Sequence, residues 1–211
     1  MSVLDNKRQK KEALEQSQQV RKSKIFSPFR TIGHVSNNIP FAIGTLGATF
    51  YIVTIVGRSF QIYDASTLHL LFVSTKQTPD PISCVIARSH YVYCAYGNKI
   101  GVFKRGALVF EIEVPNEKND PNFRINKMIV FNAYLIACTD DKVFVYENKE
   151  KSDKFPTIFY TSFEINSLYG NIVDMIHMPT HMNKIVVATS KHLMVYNVKT
   201  GKNVYTTDEF A

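Results

Sequence analysis

Two histidines four residues apart, His177 and His181 in HMPTH, have a spacing used in zinc sites. Zinc asks for four ligands, no pair of cysteines accompanies the histidines, and Pro179 between them predicts a loop joining two strands. Asp140 and Asp141 are adjacent carboxylates, but general acid–base work needs a matching partner and none can be identified. Their place at the end of an apolar run predicts a tight turn. Lys104-Arg105-Gly106 and Arg58-Ser59 read as turn-edge charges that could also meet phosphate or a partner. The patterns G-x-x-x-x-G-K-[ST], G-x-S-x-G and H-E-x-x-H do not occur. The expectation is therefore a protein that is not an enzyme, with no catalytic, metal or cofactor-binding residues and no small-molecule substrate.

The cations concentrate at one end. Residues 1–30 carry eight Lys/Arg against three acidic residues, whereas the remaining 181 residues hold 17 basic and 15 acidic groups. Lys7, Arg8, Lys10, Lys11, Arg21, Lys22 and Lys24 form two basic clusters around a Gln-rich spacer. That arrangement resembles a bipartite nuclear import signal, and it suits phosphate contact equally. With few apolar residues to compensate the entropy of ordering, residues 1–23 are expected to be a basic disordered tail, and 24–211 the folded part. No apolar core follows the early charges, so no secretory signal is expected. Cys84, Cys94 and Cys138 all lie in apolar runs, which predicts buried free thiols in a reducing compartment. The uncharged stretch 31–57 is too short and too broken by Gly44 and Gly47 for a membrane span, so no membrane partner is expected.

Positioning these residues falls to a repeated element. The strand-like pieces SFQIYD, KIGVFK, KVFVYE and HLMVYN each end in an aromatic and a polar residue, and the aromatics Tyr63, Phe103, Tyr146 and Tyr196 are spaced 40, 43 and 50 apart. The pieces that precede them, FYIVTIVG, YVYCAYG, YLIACTD and KIVVATS, end at Gly57, Gly97, Asp140 and Ser190 with the same offsets. A first run (IPFAIG, ISCVIA, NKMIVF, VDMIHM) and a last run (LHLLFVS, LVFEIEV, TIFYTSF, KNVYTTD) complete four strands per unit. Four antiparallel strands in about 40–45 residues predict an all-β fold: a WD-repeat β-propeller with about four four-stranded blades between Ile39 and Phe210. The second strand should be buried on both faces, with Ile55, Ala95, Cys138 and Ala188 in one column and Thr54, Cys94, Ala137 and Val187 in the next. The third-strand aromatic should wedge between neighbouring blades.

Four blades are few for a closed ring, so the chain reads as an incomplete ring, the N-terminal blades of a longer propeller. Phe29, Arg30, Thr31, Ile32, Gly33, His34 and Val35 alternate like a strand but have no place in the first blade. They are expected to close the ring against a blade beyond residue 211, because closure removes exposed edges.

The segments SPFRTIGHVSN, GTLGATFYIVTIVGRSFQIYD and HYVYCAYGNKIGVFKRG resemble the start of one WD-repeat family. It is that of the tandem-propeller subunits of the UTP-B subcomplex of the small-subunit processome, related to human WD-repeat protein thirty-six. The resemblance is most specific over 24–106 and continues through KFPTIFYTSF and NKIVVATSKHLMVYNVKTGK. It implies a non-catalytic scaffold in the nucleus and nucleolus, supporting small-subunit assembly and pre-rRNA processing. The implied partners are other WD-repeat proteins of UTP-B, the U3 snoRNP and pre-rRNA. Such proteins have two propellers and a helical C-terminal domain. A general WD-repeat interaction adaptor outside ribosome biogenesis is the alternative; it need not carry SPFRTIGHVSN or the basic tail.

Overall fold

The computed structural model describes residues 33–36, 38–116, 120–148 and 157–210. The sequence periodicities become sixteen strands among these residues, grouped in four antiparallel sheets. Blade 1 is β1 (Ala42–Leu46), β2 (Thr49–Val56), β3 (Ser59–Asp64) and β4 (Leu70–Val73). Blade 2 is β5 (Ile82–Arg88), β6 (Tyr91–Tyr96), β7 (Lys99–Lys104) and β8 (Ala107–Glu113). Blade 3 is β9 (Lys127–Phe131), β10 (Tyr134–Cys138), β11 (Lys142–Asn148) and β12 (Thr157–Glu164). Blade 4 is β13 (Ile172–His177), β14 (Lys184–Thr189), β15 (Leu193–Asn197) and β16 (Asn203–Thr206). Within each sheet the strands lie in chain order, and the first strands β1, β5, β9 and β13 stand side by side from blade to blade.

The core lies between the sheets. One apolar cluster joins blades 1 and 2 through Val53, Ile55 and Phe60 against Val92, Cys94 and Phe103. A second joins blades 2 and 3, and a third joins blades 3 and 4. Because side chains alternate along a strand, the two predicted columns point in opposite directions. Ile55, Ala95 and Cys138 face the blade that follows, whereas Cys94, Ala137 and Val187 face the blade before. Phe103 sits edge-on to Phe60 of blade 1 with ring centroids 4.9 Å apart, and Tyr196 stacks on Phe163 of blade 3 at 4.6 Å. Phe103, Tyr146 and Tyr196 do wedge between blades, whereas Tyr63 lies on the face of blade 1 turned away from blade 2. Such ring pairs add about 0.5–1.5 kcal/mol beyond the area they bury.

A regularity absent from the sequence reading sits beside these aromatics. In every blade the pairing of third and fourth strands slips immediately before the aromatic: between Ile62 and Tyr63, Val102 and Phe103, Val145 and Tyr146, and Val195 and Tyr196. The extra outer-strand residues are Leu71, Val109, Tyr160 and Val204, and all four are exposed. A β-bulge of this kind sharpens right-handed twist and turns the sheet edge away from an incoming strand. A short 3-10 turn, Ser167–Tyr169, lies in the linker from blade 3 to blade 4, where Asn166 caps it by accepting from Leu168 N–H at 3.0 Å.

Candidate interaction surface

Strand order gives each blade two ends. One bears the turns between first and second and between third and fourth strands; the other bears the turns between second and third strands and the linkers to the next blade. At the first end a relay of hydrogen bonds runs across all four blades. Tyr51 Oη of blade 1 donates to Ser89 O of blade 2 at 2.8 Å. Arg88 Nη1 of blade 2 donates to Asn132 O of blade 3 at 2.6 Å, and Asn132 Nδ2 donates to Met182 O of blade 4 at 3.2 Å. Ser89 and Asn132 take positive φ, 51° and 48°, which turns their carbonyls toward these donors. Burial, with Tyr93 nearby, pushes the Tyr51 phenol up to about 12, so it stays protonated as the donor.

The residues with chemical potential resolve into structural roles. His177 Nε2 donates to His181 O at 3.0 Å, and the His177 ring stacks on Phe131 at 4.1 Å. No cluster of three or more metal-ligating side chains occurs among the described residues. Asp140 and Asp141 occupy the predicted turn. Asp140 Oδ1 accepts from Asn126 Nδ2 at 2.5 Å and its carbonyl from Ile172 N–H of blade 4 at 2.7 Å. Asp141 Oδ1 accepts from Thr139 Oγ1 at 3.1 Å, while its carbonyl holds Ile165 N–H at 2.8 Å. Around them lies a cleft of about 390 Å³ lined by Arg124, Lys142, Glu164 and Asn171, whose walls are turns and linkers bound to one another.

Cys84, Cys94 and Cys138 are buried and free, as expected. Burial pushes the Cys84 and Cys138 thiols up to about 12 and raises Cys94 well above its usual value, so none is a thiolate nucleophile at neutral pH. Arg58 lies at the turn after β2, and Arg105 at the turn after β7 with φ 51°. Lys104 Nζ stands 5.7 Å from the centre of the Tyr91 ring.

The tail cations Lys7, Arg8, Lys10, Lys11, Arg21, Lys22 and Lys24 lie outside the described residues, as do Phe29, Arg30, Thr31 and Ile32 of the expected closing strand. Gly33, His34 and Val35 are exposed and carry no strand assignment. The sequence reading missed Ser36. Its N–H donates to Ile55 O at 2.7 Å, and its Oγ accepts from Gly57 N–H at 2.7 Å. In blade 3 Asn126 N–H donates likewise to Cys138 O at 2.8 Å, while its Nδ2 donates to Asp140 Oδ1. The signal was a polar residue ahead of the first strand of blades 1 and 3, Ser36 and Asn126.

Four twisted four-stranded antiparallel blades, ordered from an inner first strand and packed face to face, define a WD-repeat β-propeller arc. A family model described as WDR36/Utp21 first beta-propeller matches residues 52–211, and the chain belongs to that family. It is 49% identical over 192 residues to U3 small nucleolar RNA-associated protein 21 of Saccharomyces cerevisiae, and 36% identical over 192 residues to the Schizosaccharomyces pombe homolog. It is 28% identical over 187 residues to human WD repeat-containing protein 36. These matches take in 90%, 90% and 87% of this chain but 20% of each relative, so the chain spans about a fifth of their length. Among solved structures, the WD40 domain of SCAP from fission yeast is similar with a TM-score of 0.59 at 16% identity, over 80% of this chain and 43% of that one. BamB from Moraxella catarrhalis gives 0.57 at 11%, over 81% and 52%. At such identities these two likenesses speak for the fold alone.

Proposed function

We propose that the protein is a non-catalytic propeller scaffold of the nucleolar small-subunit processome, where it supports assembly around the U3 snoRNP and processing of pre-rRNA. The observation that carries this reading is the family match over 52–211, together with relatives named for their association with U3 small nucleolar RNA. The architecture suits the role, since turns and linkers present broad surfaces on rigid blades. Other WD-repeat proteins of the UTP-B subcomplex are the protein partners in this proposal. The basic tail is its nuclear-targeting or RNA-contact element, and Phe29–Val35 its ring-closing strand. Ser36 supports the last point, because its N–H bonds β2 of blade 1 as the N–H of Asn126, in the linker from blade 2, bonds β10 of blade 3.

Affinity purification of the tagged protein from cells tests the reading. U3 RNA and other WD-repeat processome subunits are expected to co-purify, whereas a set of trafficking or ubiquitin-ligase subunits without U3 would replace it with the adaptor function. Neutralising Lys7, Arg8, Lys10, Lys11, Arg21, Lys22 and Lys24 in the same protein is expected to lower nuclear accumulation. Unchanged localisation would reject the tail as a targeting element.

A further inference from the structure

The two ends of the blades differ in charge. At the end bearing the first-to-second and third-to-fourth strand turns, the described residues supply six cations: Arg88, Lys104 and Arg105 on blade 2, and Lys184, Lys199 and Lys202 on blade 4. Only Asp64 and Glu147 oppose them there, an excess of four positive charges. The opposite end holds ten carboxylates and seven cations. The overall count for the described residues is close to neutral and conceals this separation.

The pairing of the charges sharpens the contrast. The ion pairs among the described residues, Lys99–Glu111, Lys127–Asp174, Lys142–Glu164 and Lys191–Glu209, all belong to the acidic end. None of the six cations at the basic end has a carboxylate within ion-pair distance among the described residues. Asp64 does not neutralise them, because its Oδ1 is taken up by Ser66 and Thr67 of its own turn at 2.5–3.0 Å. Arg88 is fixed by its bond to Asn132 O, and Lys104 by the Tyr91 ring. Among the described residues these six cations have no carboxylate partner, and the length of a blade separates them from the acidic end, which gives the blades a charge polarity.

We propose that this basic end is an RNA-binding face, contacting the phosphodiester backbone without reading bases. The inference rests on the processome reading above and names the surface through which such a scaffold would touch its RNA. Backbone contact is favoured over base readout because the groups without a carboxylate partner among the described residues are lysines and arginines carried on two blades, 2 and 4. Such an arrangement follows a strand of phosphates and carries no sequence information. Binding should therefore be salt-dependent, with each phosphate contact to a single strand contributing about 0.7 to the log–log slope.

The test uses the full chain with the seven tail cations changed to glutamine, so that the tail cannot mask the face. One variant carries Lys104→Glu, Arg105→Glu, Lys199→Glu and Lys202→Glu. A second carries the same charge change at the other end, through Arg58→Glu, Lys76→Glu, Arg124→Glu and Lys191→Glu. Binding of a fluorescein-labelled oligouridine is followed by anisotropy across a salt series. The basic-end variant is expected to bind at least about tenfold more weakly, with a slope shallower by about 3, and the second variant to change far less. Equal losses in both variants, or no loss in the first, would overturn the proposal. Competition by polyglutamate as effective as that by RNA would also overturn it and assign the face to an acidic protein. Circular dichroism checks the fold, and glutamine versions of the same substitutions carry the comparison if the glutamate versions unfold. U3 RNA absent from the wild-type purification sinks the processome reading. U3 present there, with oligouridine affinity unchanged in the basic-end variant, sinks only this inference.

Discussion

Asp64 shows how one residue of the repeat signature acts. It stands where the aspartate of a Trp-Asp dipeptide would stand, yet its carboxylate serves its own turn, accepting from Ser66 and Thr67 through backbone and hydroxyl donors. Those hydrogen bonds, the Ser66 hydroxyl foremost, lower its pKa from 3.8 to about 2. A carboxylate whose folded pKa is depressed stabilises the fold above its unfolded value and loses that contribution as pH falls through the folded one. Asp64→Ala is therefore expected to lower the thermal midpoint at neutral pH, and the gap from wild type should close between about pH 4 and pH 2. A gap of constant size down to pH 2 would show that the turn does not depend on the ionised form. Asn197 holds the same position in blade 4, accepting from Lys199 and Thr200 N–H through Oδ1, so an uncharged oxygen can do part of this work.

At the scale of elements, much was legible because burial on both faces leaves a plain mark. β10 is buried at every residue, and YLIAC in the sequence is apolar throughout. Offsets shared by second and third strands then located the blades. The outer-strand bulges were not legible: Leu71, Val109, Tyr160 and Val204 are apolar, and alternation alone gives no sign that one residue has no partner. Among candidate site residues, the turn role of Asp140-Asp141 followed from position, whereas the charge separation depended on folding, since cations distant in sequence meet only when blades align. Packing between elements was also hidden. Thr75 N–H of blade 1 donates to Gly106 O in blade 2 at 2.9 Å, and a Cβ built on Gly106 would meet Val73 O at 2.4 Å. Gly106 has φ 83°, whereas Gly47, at φ 62°, has nothing within 4 Å of its Cβ position. Gly47→Ala should cost about 1 kcal/mol from backbone conformation alone, and Gly106→Ala roughly 2–4 kcal/mol because the contact is lost as well. Equal shifts in the unfolding midpoint of the two variants would show that the blades do not lean on each other at this turn.

At the scale of the molecule, four blades enclose three apolar cores among the described residues, so two faces lack a neighbouring blade within the described arc. Their composition says what they require. In blade 4 the register aligns Ile176, Val186, Val195 and Tyr205 in one row across the sheet, on the face opposite Met175, Val187 and Met194 of the core. Ile176 is 64% exposed and Tyr205 61%. In blade 1 the outward face carries Ile43 at 56% and Phe50 at 57%. Burying an apolar side chain of this size is worth about 1.5–3 kcal/mol, so two such faces drive association strongly when nothing covers them. The 211-residue chain in isolation is therefore expected to be oligomeric in light scattering after size exclusion. Ile176→Lys combined with Tyr205→Lys should shift it toward monomer without unfolding the three cores. A longer chain carrying further blades, in which a neighbour covers the Ile176 row and Phe29–Val35 joins the last outer strand, should be monomeric and unfold at higher temperature. A monomer of the 211-residue chain that unfolds in one cooperative step, unaffected by the two lysines, would mean that blades 1 and 4 meet each other and close a four-bladed ring.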